Sequence, residues 1–264
     1  MDLMLKGKQA FVTGGSRGIG LAVARAFAGE WADVAIGARN GDAVEKEANR
    51  IRSDYGVAAC GIVMDVTKPG DILSARDLIV ERFGGIDVLV NNAGTGSEET
   101  IMGAPDEKWY RFWDLHVMAA VRTARAFVPI MRMRGGGVIL NMASVCAAQP
   151  LWYEPIYNTT KAALVMLTKC LANEVIGDSI RVNTVSPGAV LTPDWRKTAG
   201  ILGAKEGITA DEYLDRVARE NAPIGRFSTP EEVAHLCVFL ASPRASYCVG
   251  STYYIDGGWL KVTT

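Results

Sequence analysis

Three polar residues lie close enough in the sequence to share one chemical task. Tyr157 and Lys161 are four positions apart in a segment, 156–175, with helical spacing and no glycine or proline. Residues four apart share one face of a helix, so the phenol and the ammonium can face one site. A phenol has a pKa of about 10, and a neighbouring cation stabilises the phenolate and lowers that pKa. Such a tyrosine can pass a proton to or from a substrate oxygen, and Ser144 could hydrogen-bond the same oxygen.

A glycine-rich loop, 13–20, joins the first apolar run of the chain to the first helical pattern. Glycines at 14, 18 and 20 let the backbone turn sharply and approach a ligand closely. The following helix start offers N–H groups and a positive dipole end to a pyrophosphate. Because the loop lies between a strand and a helix, a dinucleotide is its expected ligand. The loop residues expected to bind it are Gly14, Ser16, Arg17, Gly18, Ile19 and Gly20.

Short apolar runs alternate with amphipathic segments along the whole chain, a pattern typical of a parallel sheet with helices on both faces. The predicted strands are 9–13, 34–36, 60–64, 87–90, 138–142, 181–185 and 252–255. The predicted helices are 19–27, 42–52, 71–82, 107–133, 156–175 and 230–240. No internal repeat or linker interrupts the pattern, so we expect a single α/β domain over 1–264, a Rossmann-type doubly wound parallel sheet of about seven strands.

One stretch, 188–209, is predicted to be irregular, because it is rich in glycine and threonine. It follows the sixth predicted strand, and ligands of doubly wound sheets bind beyond the carboxyl ends of the strands. We therefore expect a substrate lid over about 188–225.

The bulk composition excludes several classes of function. The chain has 264 residues, 49% of them hydrophobic, and a formal net charge of −1. No basic run suggests nucleic acid, no apolar segment reaches the roughly 18 residues of a membrane span, and the first eight residues do not resemble a signal peptide. The five cysteines are scattered and odd in number, which favours reduced thiols and a cytoplasmic location. With two histidines and no ligand-like spacing, no metal is expected.

The glycine spacing and the Tyr-x-x-x-Lys pair together resemble the short-chain dehydrogenase/reductase family, nearly end to end. The segment 91–94 is similar to the family's Asn-Asn-Ala-Gly, and Ser144 stands at the spacing of its catalytic serine. Pro187 and Gly188 followed by Thr192 match the segment that contacts nicotinamide, and 256–258 is similar to the terminal Asp-Gly-Gly. The chain looks closest to 3-oxoacyl-thioester reductases and to related hydroxysteroid, polyol and cyclic-alcohol dehydrogenases.

The resemblance implies which residues hold a nicotinamide cofactor beyond the glycine loop. Asp65 and Val66 match the adenine-contacting pair, although Asp65 could instead cap a helix. The remaining expected contacts are Asn92, Ala93, Gly94, Tyr157, Lys161, Pro187, Gly188, Val190 and Thr192.

The end of the second strand selects between the two nicotinamide cofactors. A carboxylate there bonds the ribose 2′-hydroxyl of NADH, but the family alignment places Ala38 at that position. Arg39 follows, and its guanidinium can fork onto a phosphate; Arg17 is a second cation in reach. These features predict NADPH, with NADH as the alternative if both arginines are merely solvated.

The family mechanism implies a role for each matched residue. Tyr157 would protonate a carbonyl oxygen, Ser144 would orient it, and Lys161 would lower the Tyr157 pKa and bond the nicotinamide ribose. The family's fourth catalytic residue, an asparagine, is His116 here. Because histidine titrates near pH 6.5, His116 could take part in a proton relay, or it could simply fill the space of the asparagine.

The substrate is the least determined feature. The residues expected to line its pocket include Trp152, Glu154 and Trp195, and the two indoles suggest an apolar or ring-bearing substrate unless they only pack the lid. The leading hypothesis is an NADPH-dependent reductase interconverting a ketone and a secondary alcohol. The alternatives are an NAD-linked dehydrogenase of a steroid, polyol or cyclic alcohol, and a non-catalytic dinucleotide-binding module. The resemblance also implies a homotetramer or homodimer, with a small-molecule substrate and neither nucleic acid nor membrane as a partner.

Overall fold

The computed structural model describes residues 1–263, which form a seven-stranded sheet flanked by helices. The strands are β1 (Gln9–Thr13), β2 (Asp33–Ala38), β3 (Ala59–Val63), β4 (Val88–Asn91), β5 (Gly137–Met142), β6 (Ile180–Pro187) and β7 (Thr252–Ile255). The helices are α1 (Gly18–Gly29), α2 (Gly41–Tyr55), α3 (Pro69–Phe83), α4 (Asp106–Trp113), α5 (Ala119–Met133), α6 (Pro155–Val175), α7 (Pro193–Glu206), α8 (Ala210–Asn221) and α9 (Pro230–Ala241).

All strand pairs are parallel, in the order β3-β2-β1-β4-β5-β6-β7. The predicted doubly wound α/β fold and its seven strands are thus confirmed. Neighbouring strand residues point to opposite faces, and both faces are buried. Val12 and Val90 pack with α1, α2 and α9, whereas Phe11 and Leu89 pack with α3 and α5. This double burial explains the apolar strand sequences. No helix within residues 1–263 combines the length and apolarity that a bilayer crossing requires.

The predicted helix 107–133 is divided in the structure. A π-helical turn, Asp114–Met118, separates α4 from α5, and the residues on either side keep right-handed helical dihedrals. One extra residue is therefore inserted without breaking the helix axis. Such turns concentrate at functional sites, and this one contains His116.

The prediction that 188–209 is irregular is wrong. It contains all of α7, and α8 begins at Ala210. Both starts carry recognisable signals: Thr192 caps α7 ahead of Pro193, and Thr209 forms a capping box with Glu212. The glycines of α7 concealed these signals, because Gly200 and Gly203 weaken helix propensity.

Candidate functional site

The catalytic residues predicted from the sequence meet at the carboxyl end of β5. Ser144 follows that strand by two residues, and Tyr157 and Lys161 lie in the first two turns of α6. The Lys161 ammonium donates to the Met142 carbonyl at 2.8 Å and lies 5.4 Å from the centre of the Tyr157 ring. The Ser144 hydroxyl lies near enough to the Tyr157 phenol to lower its pKa, and it accepts the Cys146 N–H at 3.2 Å.

Burial dominates the electrostatics of this pair. It raises the pKa of Tyr157, Cys146 and Glu154 raise it further, and the nearby Ser144 hydroxyl lowers it. Burial also lowers the pKa of Lys161 to about 8. The net shift of the Tyr157 pKa is therefore upward, because desolvation of the phenol is the largest effect, and the expectation that Lys161 lowers this pKa stays a prediction. Tyr157 therefore keeps its proton at neutral pH, which is the form a proton donor needs.

His116 forms part of a hydrogen-bonded bridge between two segments of the chain. The imidazole is buried, with 3% of its surface exposed. Thr160 donates its hydroxyl hydrogen to the Tyr157 carbonyl at 3.0 Å. The Thr160 oxygen can then accept from His116 Nδ1, 2.9 Å away, and Nε2 accepts the Thr95 N–H at 3.4 Å. This network assigns the neutral tautomer with hydrogen on Nδ1.

The surroundings keep His116 uncharged. Burial and then the charge of Lys161 lower its pKa to about 2, and the Thr95 hydrogen bond offsets this only in part. A relay that depends on His116 charging and discharging near neutral pH is therefore not supported. The ring also stands edge-on to Tyr157, with the ring centres 5.5 Å apart. His116 thus couples the backbone of the Tyr157 turn to the segment that follows Gly94.

Space around this bridge is tight. A Cβ placed on Gly94 would lie 3.1 Å from His116 Nε2 and 3.6 Å from Lys161 Nζ, so no larger residue fits there without displacement. A small cavity of about 10 Å³ lies between Asn91, His116 and Lys161, which is near the lower limit for holding one water.

The Asn-Asn-Ala-Gly segment is bonded to the start of the glycine loop. The Asn92 amide donates to the Thr13 carbonyl at 3.0 Å, and the Thr13 hydroxyl accepts the N–H groups of Asn92 and Ala93. Gly14 has a positive φ of 67°, and a Cβ on it would lie 2.9 Å from Ala93 Cα. Glycine is therefore required where these two backbones meet.

The start of α1 fits a pyrophosphate. Its N-cap, Arg17, is extended, no side chain caps the helix, and no acidic residue lies in its first turn. Since the first N–H groups of a helix lack intrahelical partners, those of Gly18, Ile19 and Gly20 are free to donate hydrogen bonds to an anion. Ser16 lies beside them in the loop.

The two predicted phosphate-binding arginines are exposed, and they differ in their partners. Arg17 pairs with Asp194 of α7 at 3.2 Å. Arg39 is close enough to Asp65 for its charge to lower the Asp65 pKa, alongside the hydrogen bonds from Thr67, against the opposing effect of burial. Asp65 forms a turn with Thr67, accepting both its N–H and its hydroxyl, and it does not cap α3, whose N-cap is Lys68.

The segment that the resemblance expects to contact nicotinamide follows β6. β6 ends at Pro187, and the Gly188 N–H donates to Ile255 of β7 at 3.0 Å. Val190 is buried and pairs with Ser228. Thr192 faces the glycine loop, since a Cβ on Gly18 would lie 3.7 Å from its methyl group.

The predicted substrate residues have different surroundings. Glu154 is buried at the N-terminus of α6 and accepts the Cys146 thiol hydrogen at 3.4 Å; burial raises its pKa to about 7. Trp195 packs edge-on against Phe227, with the ring centres 5.1 Å apart, inside an apolar cluster that Tyr157 also contacts. Trp152 is 88% exposed and packs edge-on against Tyr153.

Three residues around the predicted site residues were not predicted from the sequence. The sequence did not single out Thr160, which is the partner of His116. Nor did it single out Ser97 and Glu99, which contact the start of α6. Thr160 lies three residues after Tyr157, and a threonine hydroxyl can bond a helix carbonyl at that spacing, so its position was a usable signal. Nothing local marks Ser97 or Glu99, because their partners lie some 60 residues away. Among residues 1–263, no three His, Cys, Asp or Glu side chains are grouped as a metal would require.

Comparison with known proteins gives consistent matches over nearly the whole chain. The family model described as enoyl-(acyl carrier protein) reductase matches residues 14–260. L-sorbose reductase from Gluconobacter frateurii, solved with NADPH and L-sorbose, is 54% identical with a TM-score of 0.98, and each chain covers 100% of the other. Galactitol 2-dehydrogenase from Agrobacterium fabrum is 35% identical over 98% of this chain and 100% of the relative. D-beta-hydroxybutyrate dehydrogenase from Rhizobium meliloti is 34% identical over 96% and 98%. The chain therefore belongs to the short-chain dehydrogenase/reductase family of oxidoreductases.

Proposed function

We propose that this protein is an NADPH-dependent reductase that interconverts a polyhydroxylated ketone and the corresponding secondary alcohol. The observation that carries the substrate class is Glu154. Its buried carboxylate lies three residues before Tyr157, among the groups whose charge acts on the phenol. Besides the Cys146 thiol, this buried carboxyl group can take further hydrogen-bond partners, which the hydroxyls of a ketose would supply. The Gluconobacter reductase, which was solved with L-sorbose, and the galactitol dehydrogenase support the same class.

The chain's own residues divide the work of the reaction. NADPH, when bound, supplies hydride to the carbonyl carbon. The pyrophosphate would lie on the N-terminus of α1, with Asn92, Ala93 and Gly94 beside it, and Asp65 and Val66 near the adenine. The segment from Pro187 through Gly188 and Val190 to Thr192 would hold the carboxamide.

The proton moves at the phenol oxygen. Tyr157 donates to the substrate oxygen, which Ser144 orients through its hydroxyl. Lys161, held by the Met142 carbonyl, stabilises the phenolate that forms, and lies where the nicotinamide ribose is expected. His116 keeps the turn of Tyr157 in place through Thr160, without changing its own charge.

The preference for NADPH is inferred from Ala38, Arg39 and Arg17. With no acid at position 38, the 2′-phosphate meets no like charge, and Arg39 is exposed at the rim. Arg17 can reach the 2′-phosphate beside Arg39 only after its ion pair with Asp194, at 3.2 Å, is broken.

A second candidate substrate is an apolar cyclic ketone. The cluster formed by Trp195, Phe227 and Trp259 touches the Tyr157 side of the site, and it would suit such a ring. The two candidates differ in their need for Glu154: reduction of a ketose requires its hydrogen bonds, whereas reduction of an apolar ketone does not.

The resemblance also implies an oligomeric state and a lid for this enzyme. A homotetramer or homodimer is supported by exposed apolar side chains on α4 and α6, among them Tyr110, Trp113 and Met166. The helices α7 and α8 form the lid over 188–225 of a single domain. A cytoplasmic location, expected from the cysteines, stays a prediction.

The proposed function is tested by following NADPH oxidation with ketohexoses, simple ketones and a steroid ketone, each repeated with NADH. We expect a ketohexose with NADPH to give the highest kcat/KM. Preference for NADH would contradict the cofactor proposal, and equal turnover of ketoses by a Glu154→Gln variant would contradict the substrate class.

A further inference from the structure

The helix that carries Tyr157 and Lys161 does not cap its own start. Its N-cap residue, Glu154, makes no capping bond with its side chain. Pro155 follows and has no N–H. The N–H groups of Ile156 and Tyr157 are therefore the first that need partners from elsewhere.

A short segment after the Asn-Asn-Ala-Gly motif supplies both partners. The Glu99 carboxylate accepts the Ile156 N–H at 3.1 Å, and the Ser97 oxygen accepts the Tyr157 N–H at 3.3 Å. The Ser97 hydroxyl in turn donates to Glu99 at 3.1 Å. The Glu99 N–H donates to the Tyr153 carbonyl at 3.0 Å, which closes the connection between the two segments.

The charge of Glu99 is itself held in place. Only 5% of its side chain is exposed, and the Lys108 ammonium lies 2.7 Å from its second oxygen. Lys108 also donates to the Glu98 carbonyl at 2.9 Å. Burial opposes ionisation of Glu99, but the ion pair with Lys108 and the hydrogen bonds from Ile156 and Ser97 outweigh it and lower the pKa. An ionised carboxylate at a helix N-terminus is the favourable sign of charge.

We propose that Ser97 and Glu99 are positioning residues that cap α6 from a distant part of the chain and thereby fix the Tyr157 phenol relative to Ser144. This inference rests on the proposed function, because it takes Tyr157 as the proton donor. The Tyr157 peptide is held at both ends: its N–H by Ser97 and its carbonyl by Thr160. Loss of the first contact frees the turn to rotate, and displacement of about 1 Å at a reacting group can lower a rate by about 100-fold.

The test compares Glu99→Ala and Ser97→Ala with a cap removed elsewhere. Thr229 caps α9 through a capping box with Glu232, so Thr229→Ala is a control of similar structural cost. We expect Glu99→Ala to lower kcat by about tenfold or more, with KM for the ketone and Kd for NADPH within about twofold. Thr229→Ala should lower the melting temperature comparably and leave kcat unchanged. Glu99→Gln keeps an oxygen for the Ile156 N–H and should restore most of kcat.

Two results would overturn the inference. One is an unchanged kcat in Glu99→Ala together with a lowered melting temperature, which is the signature of a purely structural cap. The other is an equal loss of kcat in Thr229→Ala, which would point to general destabilisation. Failure of the proposed function looks different: a Tyr157→Phe variant would keep its turnover, whatever the Glu99 variants do.

Discussion

Burial of neutral His116 predicts a specific loss of stability in acid. In the unfolded chain the imidazole has a pKa of about 6.5, and in the fold burial lowers the pKa to about 2. Between these values the unfolded state binds a proton that the folded state does not, so stability falls as pH falls. From pH 7 to pH 4.5 the linkage relation gives a loss of about 2.6 kcal/mol from this one group. Because pH 4.5 lies far above the folded pKa, the figure depends almost entirely on the unfolded pKa.

The measurement is urea unfolding of the wild type and of His116→Asn at pH 7 and pH 4.5, at one protein concentration. Any pH-independent cost of the substitution cancels in the double difference, as do the carboxylates common to both proteins. We expect the wild type to lose about 2.6 kcal/mol more than the variant between the two pH values. His235, the other histidine, is exposed, and His235→Asn serves as the matched control. A double difference near zero for His116→Asn would refute the reasoning, because the imidazole would then be able to charge inside the fold.

Two further predictions concern groups around the same site. Replacing Asp194 with Asn frees Arg17, and we expect NADPH to bind about two- to fivefold more tightly at low salt, the range of an exposed ion pair; unchanged Kd values in a fluorescence titration would show that Arg17 does not reach the 2′-phosphate. Glu154→Gln should stabilise the protein at pH 8 by about 3 kcal/mol. The reason is that the Glu154 pKa of about 7 lies above its ordinary value of 4.5. The carboxyl group therefore contributes less stability as the pH rises from 4.5 to 7. The gain should vanish below pH 4.5 in urea unfolding, while turnover of ketoses falls at every pH; a gain that is independent of pH would contradict the assigned cause.

The sequence was sufficient for the parts of the fold that repeat a simple pattern. All seven predicted strands are present, because most of their residues are buried and the strands therefore read as apolar runs, β6 being buried from end to end. The glycine loop and the meeting of Ser144, Tyr157 and Lys161 follow from motif order, since each motif ends a strand or begins a helix at one edge of the sheet.

The sequence did not predict the pKa shifts that depend on contacts between distant segments. The upward shift of the Tyr157 pKa comes mainly from desolvation, which the spacing of residues along the chain does not reveal. The neutral state of His116 has the same origin, because it follows from Thr160 and Thr95 on two other segments. The helix α7 was missed for a local reason: its glycines obscured a start signal that Thr192 and Pro193 provide.

The central claim, that Tyr157 donates the proton in NADPH-driven ketone reduction, is tested most directly by single-turnover kinetics. Wild type and Tyr157→Phe are each saturated with NADPH and mixed with the best ketose of the panel, and loss of NADPH fluorescence is followed. Tyr110→Phe, which alters an exposed phenol on α4, is the matched control. The expected result is that Tyr157→Phe, even when saturated with NADPH, is slower than the wild type by about 100- to 10,000-fold, whereas Tyr110→Phe reacts at the wild-type rate. A Tyr157→Phe rate within about tenfold of the wild type would contradict it.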